Sequence, residues 1–354
     1  MHTRWPWLAL ILLVVGLPAC HREKTSSTIA QAKTSPTILP PITPVKIFND
    51  QPRRDEQGDI IDAHDGCLQF FNGRFYLYGT AYGTNDGYGT ANRYRVYSSP
   101  DLSQWKFEAN LLTNQPVGVY YRPYVVFNTD TSKYVLWYNW YSKGWAGQEG
   151  VAVSDSPVGP FTIVTTNVFR RSPQIKPGDG SLFIDDDGQG YYIFTTVSDN
   201  YCARVIRLTP DYLDITRQQS EVLACGVESP LLFRRKNIYY ALCGSLCAFC
   251  PQGSKIQTYT GPSPLGPFTP QSQINNLPTQ NSPIVAGQET WVAKIPSRPE
   301  TVYIWLADLW GQSTDGTRGH DFQFWSPPLE FDTNNDILPL RPMAGWFFGP
   351  GDKN

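Results

Sequence analysis

Charge is scarce in this chain. Only 17% of its 354 residues are charged, the net charge is -2, and no basic stripe is visible. That balance removes the electrostatic footprint of a nucleic-acid binder. Amphipathic helical periodicity of any length is missing as well, which points away from helical architectures. A single long apolar run occurs, from Trp5 to Gly16 behind Arg4. It is too short for a comfortable membrane span and fits a secretory h-region. Histidine is found only at His2, His21, His64 and His320, too scattered to complete a metal centre. Asn-x-Ser/Thr acceptor sites are absent, which points away from a glycosylating host.

Three regions follow from composition. Residues 1–20 read as a signal peptide, and Leu17-Pro18-Ala19-Cys20 resembles a bacterial lipoprotein box in which Cys20 would carry the lipid. Residues 21–45 are rich in Ser, Thr, Pro and Lys, cannot bury a core, and read as a flexible tether. The expected location is therefore outside the cytoplasm, as a cell-envelope lipoprotein or a secreted protein that meets a membrane only through its anchor. Six cysteines remain after Cys20: Cys67, Cys202, Cys225, Cys243, Cys247 and Cys250. An even number in an exported chain favours disulfides, with connectivity open. The close set Cys243, Cys247 and Cys250 lacks a nearby fourth ligand, so disulfides are preferred to zinc, and no metal site is assigned.

What is abundant is aromatic: 14% of the residues, with 20 Tyr and 11 Trp. Many fall in a pattern that recurs five times, a short apolar strand, a turn, and a second strand heavy in aromatics. The copies start at Gly66, Pro123, Ser181, Leu231 and Trp291; the first carries the turn Asn72-Gly73 and the third Asp186-Asp187-Gly188. Each is a β-hairpin signal. Their spacing, roughly 50–60 residues, is that of propeller blades built from four-stranded sheets. The expected fold is all-β, a single five-bladed β-propeller over residues 46–354.

Innermost propeller strands surround the axis, so the residues that start them converge on one funnel. Those residues are Asp65, Tyr121, Asp179, Glu228 and Gln288. Acids around a water-filled funnel suit acid/base hydrolysis of a polar substrate. Aspartates 185–187 resemble a calcium loop only on paper, since EF-hand spacing is absent and a hairpin turn explains them. No cofactor is required by this reading, although a structural cation such as calcium is compatible with it.

The three acids in order, one per blade, carry a resemblance. Asp65, Asp179 within Asp179-Gly180-Ser181-Leu182, and Glu228 within Glu228-Ser229-Pro230 are similar to the motifs of glycoside hydrolase family 43. The resemblance implies a five-bladed propeller that hydrolyses glycosidic bonds with inversion. It implies Asp65 as general base, Asp179 as the carboxylate that tunes and orients the acid, and Glu228 as general acid. Within the family the chain looks most like the exo-β-1,3-galactanase branch, through Ala63-His64, Arg122-Pro123, Gln288 and Asp308-Leu309-Trp310. Two positions depart from that branch: it usually has glycine at Asp65, with a glutamine matching Gln288 in the base's place, and a glutamate at Tyr121.

Substrate contacts are expected from His64, Tyr121, Arg122, Gln288, Trp140 and Trp145. The two tryptophans are read as an aromatic platform in the loop after the second hairpin. The partner is a polysaccharide or oligosaccharide, and the chain is expected to act as a monomer. An α-L-arabinofuranosidase or β-xylosidase of the same family, or a carbohydrate-binding propeller without catalysis, stays open beside the galactanase reading.

Overall fold

A computed structural model describes residues 44–143, 147–247, 249–277, 281–297 and 300–349. Five antiparallel sheets form as the hairpins foretold. Their inner strands are His64–Phe71, Val119–Asn128, Pro177–Ile184, Val227–Arg235 and Gln288–Ile295. Each pairs with an aromatic-rich second strand: Arg74–Ala81, Lys133–Tyr141, Gly190–Thr196, Ile238–Ser245 and Val302–Leu309. Blades 1 to 4 add two outer strands, and blade 5 adds one, Phe322–Trp325. In the first hairpin Asn72 (φ 49°) and Gly73 (φ 81°) form the two-residue turn, with Phe71 opposite Arg74. Positive φ at both positions is what a tight hairpin turn asks for.

The inner strands carry apolar side chains on both faces, because each sheet is sandwiched between two others. Leu182 packs towards blade 2 while Phe183 packs towards blade 4. Leu231 and Leu232 divide in the same way between blades 5 and 3. This is the period-two alternation of a strand, here with apolar residues at both phases. Trp137, Tyr124, Tyr138 and Tyr192 are fully buried between blades 1, 2 and 3.

The ring closes at the seam between blades 5 and 1. There Val45–Phe48 pairs with Gly345–Phe348 as a separate two-stranded ribbon. Asn49 and Trp346 tie the ribbon to the backbone of Trp325, and Ile47, Trp346 and Phe348 join a cluster with Trp105 and Leu306. Two of the six expected disulfide cysteines, Cys67 and Cys243, are free and buried in the core; Cys202–Cys225 and Cys247–Cys250 pair.

Candidate active site

Every inner strand has a register shift at its mouth, between His64 and Cys67, Tyr121 and Tyr124, Pro177 and Gly180, Glu228 and Leu231, and Glu289 and Trp291. Such bulges re-aim side chains at the end of a ladder. In three blades the first bulged residue takes a left-handed backbone: Asp65 (φ 50°), Arg122 (φ 49°) and Ser229 (φ 50°). The ring expected at one phase thus occupies two. Asp65 matches Arg122 and Ser229, whereas Tyr121 and Glu228 match His64, one residue earlier.

These mouths form the floor of a cavity of about 330 Å³. Asp65, Tyr121, Arg122, Asp179, Glu228 and Gln288 all line it. Its walls come from a second set of segments, the ends of the second strands and the loops that follow them. They supply Tyr82 and Tyr88 from blade 1, Tyr201 from blade 3, Phe249 from blade 4 and Trp310 from blade 5, while blade 2 contributes Tyr141, the last residue of its second strand. The end of a second strand lies beside the start of its antiparallel partner, so floor and wall meet at one face of the ring.

Arg122 is the hub of the floor. It is 3% exposed; its Nε meets Asp179 Oδ1 at 3.0 Å, and its other nitrogens donate to Ser229 Oγ, Tyr124 Oη and the Glu289 carbonyl. Its backbone N–H donates to Asp65 Oδ1 at 3.1 Å. Asp179 Oδ2 accepts from Ser229, by N–H at 2.9 Å and by Oγ at 3.1 Å. One arginine therefore holds Asp179 by its side chain and Asp65 by its backbone.

Asp65 and Glu228 differ in their donors. Asp65 accepts from Thr80 Oγ1 at 2.7 Å and Tyr82 Oη at 2.6 Å in addition to Arg122 N. Burial pushes its pKa up to about 7, against the lowering pull of Arg122, Tyr82 and Thr80. Among the described residues, Glu228 accepts from Cys247 N at 2.8 Å. Burial, then the like charge of Asp179, push Glu228 up to about 7. Three donors favour the ionised form of Asp65; a negative neighbour favours the protonated form of Glu228.

Two expected contacts need correction. His64 is fully buried and lies outside the cavity lining, with Nδ1 3.0 Å from Asp308 Oδ1 and Nε2 3.3 Å from the Gly319 carbonyl. Burial alone would lower its pKa, but Asp308, and then Asp62, raise it to about 9. Asp308 also accepts the Asp65 N–H at 2.6 Å, so His64 supports the floor from beneath. Trp140 is a strand residue, not a loop residue: it is 6% exposed, stacks on Tyr120 and donates to the Thr166 carbonyl. Strand alternation turns Trp140 into the core and its neighbour Tyr141 to the cavity. Trp145 lies outside the described residues. Gln288 sits in the lining, where its Oε1 accepts from Trp310 Nε1 at 2.9 Å. At the third hairpin, Asp185 pairs with Arg234 and Tyr239, and Asp186 with Lys294.

Aromatic walls above a floor of paired acids suit the stacking and hydrolysis of sugar rings. Residues 80–303 match the model of glycosyl hydrolases family 43, and the chain belongs to that family. Among solved structures it resembles an exo-β-1,3-galactanase from Clostridium thermocellum, with TM-score 0.74 and 23% identity over 85% of this chain and 66% of that one. A galactose-bound exo-β-1,3-galactanase from Phanerochaete chrysosporium is similar, with TM-score 0.73, 21% identity, and 86% and 69% coverage. By sequence the chain is 26% identical to an arabinoxylan arabinofuranohydrolase of Bacillus subtilis, over 74% of its own length and 56% of the relative's. It thus spans little more than half of that protein.

Proposed function

We propose that this protein is an exported, inverting glycosidase that removes galactose from the ends of β-1,3-galactan or a related polysaccharide. Glu228 protonates the leaving oxygen, Asp65 draws the proton from the attacking water, and Asp179 tunes and orients Glu228. The observation that carries the division of labour is the donor set among the described residues: three donors on Asp65, the Cys247 N–H on Glu228, and Asp179 beside Glu228. Inversion requires room for water between acid and base, about 6.5–9.5 Å, and separate blades of one ring supply them. Side chains alone perform these steps, so no cofactor is invoked. The likeness to galactanase folds supports the sugar. Asp65 and the arabinofuranohydrolase relative support a second reading, release of α-L-arabinofuranose.

Hydrolysis of β-1,3-galactan and of aryl β-galactoside, α-arabinofuranoside and β-xyloside separates these readings. Galactose release by wild type, lost in Asp65→Asn, is the expected outcome. Arabinose release alone would move the assignment to the second reading. Activity that survives in Asp65→Asn would transfer the water to Gln288. No turnover on any substrate would leave a sugar-binding propeller.

A further inference from the structure

Both disulfides sit against the start of the strand that bears Glu228. Upstream, Cys225 is bonded to Cys202, and the same two segments are joined by Gly226 N–H to the Asn200 carbonyl at 2.8 Å and Val227 N–H to the Tyr201 carbonyl at 3.3 Å. On the other side, Cys247 is bonded to Cys250 and gives its N–H to Glu228 Oε2. In each bridge the residue preceding one of the cysteines is a cavity wall: Tyr201 before Cys202, and Phe249 before Cys250. Each has a left-handed backbone, φ 53° in both cases. Bulky residues adopt that conformation at a cost and keep it only where the surroundings dictate it. A bridge at the adjacent residue is such a surrounding.

We propose that the two disulfides are positioning elements of the acid: together they clamp the Glu228 strand start from both sides and set Tyr201 and Phe249 as walls beside it. This explains why one bridge ties blade 3 to the segment leading into the Glu228 strand and the other lies in blade 4's own loop, while Cys67 and Cys243 stay reduced in the core. Phe249 is the centre of the aromatic wall, with its ring 5.1 Å from Trp310, 5.7 Å from Tyr88 and 5.8 Å from Tyr82. Displacement of its loop would therefore loosen the wall and withdraw the N–H that orients Glu228 in one movement.

The inference rests on Glu228 as the acid, and leaving-group dependence reads both. A dinitrophenolate departs without a proton, whereas an unactivated alcohol needs one. Glu228→Gln sets the benchmark: a loss of roughly 10²–10⁴ on the unactivated glycoside and little on the dinitrophenyl one. Cys202→Ser/Cys225→Ser and Cys247→Ser/Cys250→Ser should each bias rates the same way, by about 10–100-fold in the ratio of the two substrates, as expected for an acid misplaced by about 1 Å. A ratio unchanged from wild type in both double variants overturns the clamp. Should either variant fail to fold, brief reduction of folded wild type, with thiols counted to confirm opening, gives the same ratio; no change there refutes the proposal equally. If Glu228→Gln itself shows no leaving-group bias, the acid assignment falls instead.

Discussion

Tyr82→Phe removes one oxygen from the site and leaves the ring that packs against Trp310 and Phe249. Among the described residues that oxygen is the sole side-chain donor to Asp65 Oδ2, at 2.6 Å, while Oδ1 keeps Thr80 and the Arg122 N–H. A hydrogen bond to a charged group contributes ~1.5–3 kcal/mol. At 1.36 kcal/mol per pKa unit, its loss from the ionised form raises Asp65 by about 1–2 units. Asp65 already stands at about 7 through burial. A base must be ionised, so the variant suffers on the acid side of the profile. At pH 6 its ionised fraction, and with it kcat/KM, falls about 10–100-fold relative to wild type, and the ratio climbs to a plateau above about pH 9. Any loss of sugar stacking adds a constant offset at every pH. The assay is kcat/KM from pH 5 to 10 on whichever glycoside the wild type cleaves. A variant-to-wild-type ratio that is flat in pH would refute Asp65 as the titrating base.

Two further predictions concern the fold. Glu149 is buried against Tyr192 Oη and Asn139, and burial pushes it up to about 8, far above its unfolded value near ~4.3. Its folded pKa is raised, so its contribution to stability is full below about pH 4.3 and is lost as pH climbs through 8. Glu149→Gln should flatten the fall in Tm between pH 5 and 8; an identical slope would show that Glu149 does not titrate in that window. Gly66, in the bulge beside Asp65, has no room for a side chain, since a Cβ would collide with the Tyr78 carbonyl and lie 2.9 Å from Gly79 Cα. Gly66→Ala should cost ~3 kcal/mol or more in urea unfolding; a near-neutral variant would contradict the close approach of the two strands.

The blades were legible because each hairpin writes itself locally. Asn72-Gly73 dictates its turn, and apolar residues at both phases of Ser181–Ile184 announce a strand covered on both faces. Since inner strands share one axis, local hairpins also placed Asp65, Asp179 and Glu228 at a common mouth. The walls were not legible in this way. Tyr82, Tyr201 and Phe249 sit in loops with no period, and only the rule that second strands end where first strands begin would have pointed to them. His64 misled because adjacency to Asp65 in sequence says nothing of direction: in a strand, neighbours face opposite ways. Its true partner, Asp308, arrives from blade 5, across a separation of 244 residues. Trp140 misled for a related reason, since the strand outlasts the expected loop and ends only at Tyr141.

The ribbon of Val45–Phe48 and Gly345–Phe348 gives the cavity an all-or-nothing character. All five blades contribute to one cavity, so an arc of four blades would lack part of it rather than retain a weaker version of it. The ribbon pairs two segments that lie at opposite ends of the propeller's sequence, so the circle is joined only where those two distant segments meet. Closure of the ring is thereby a condition for a complete cavity.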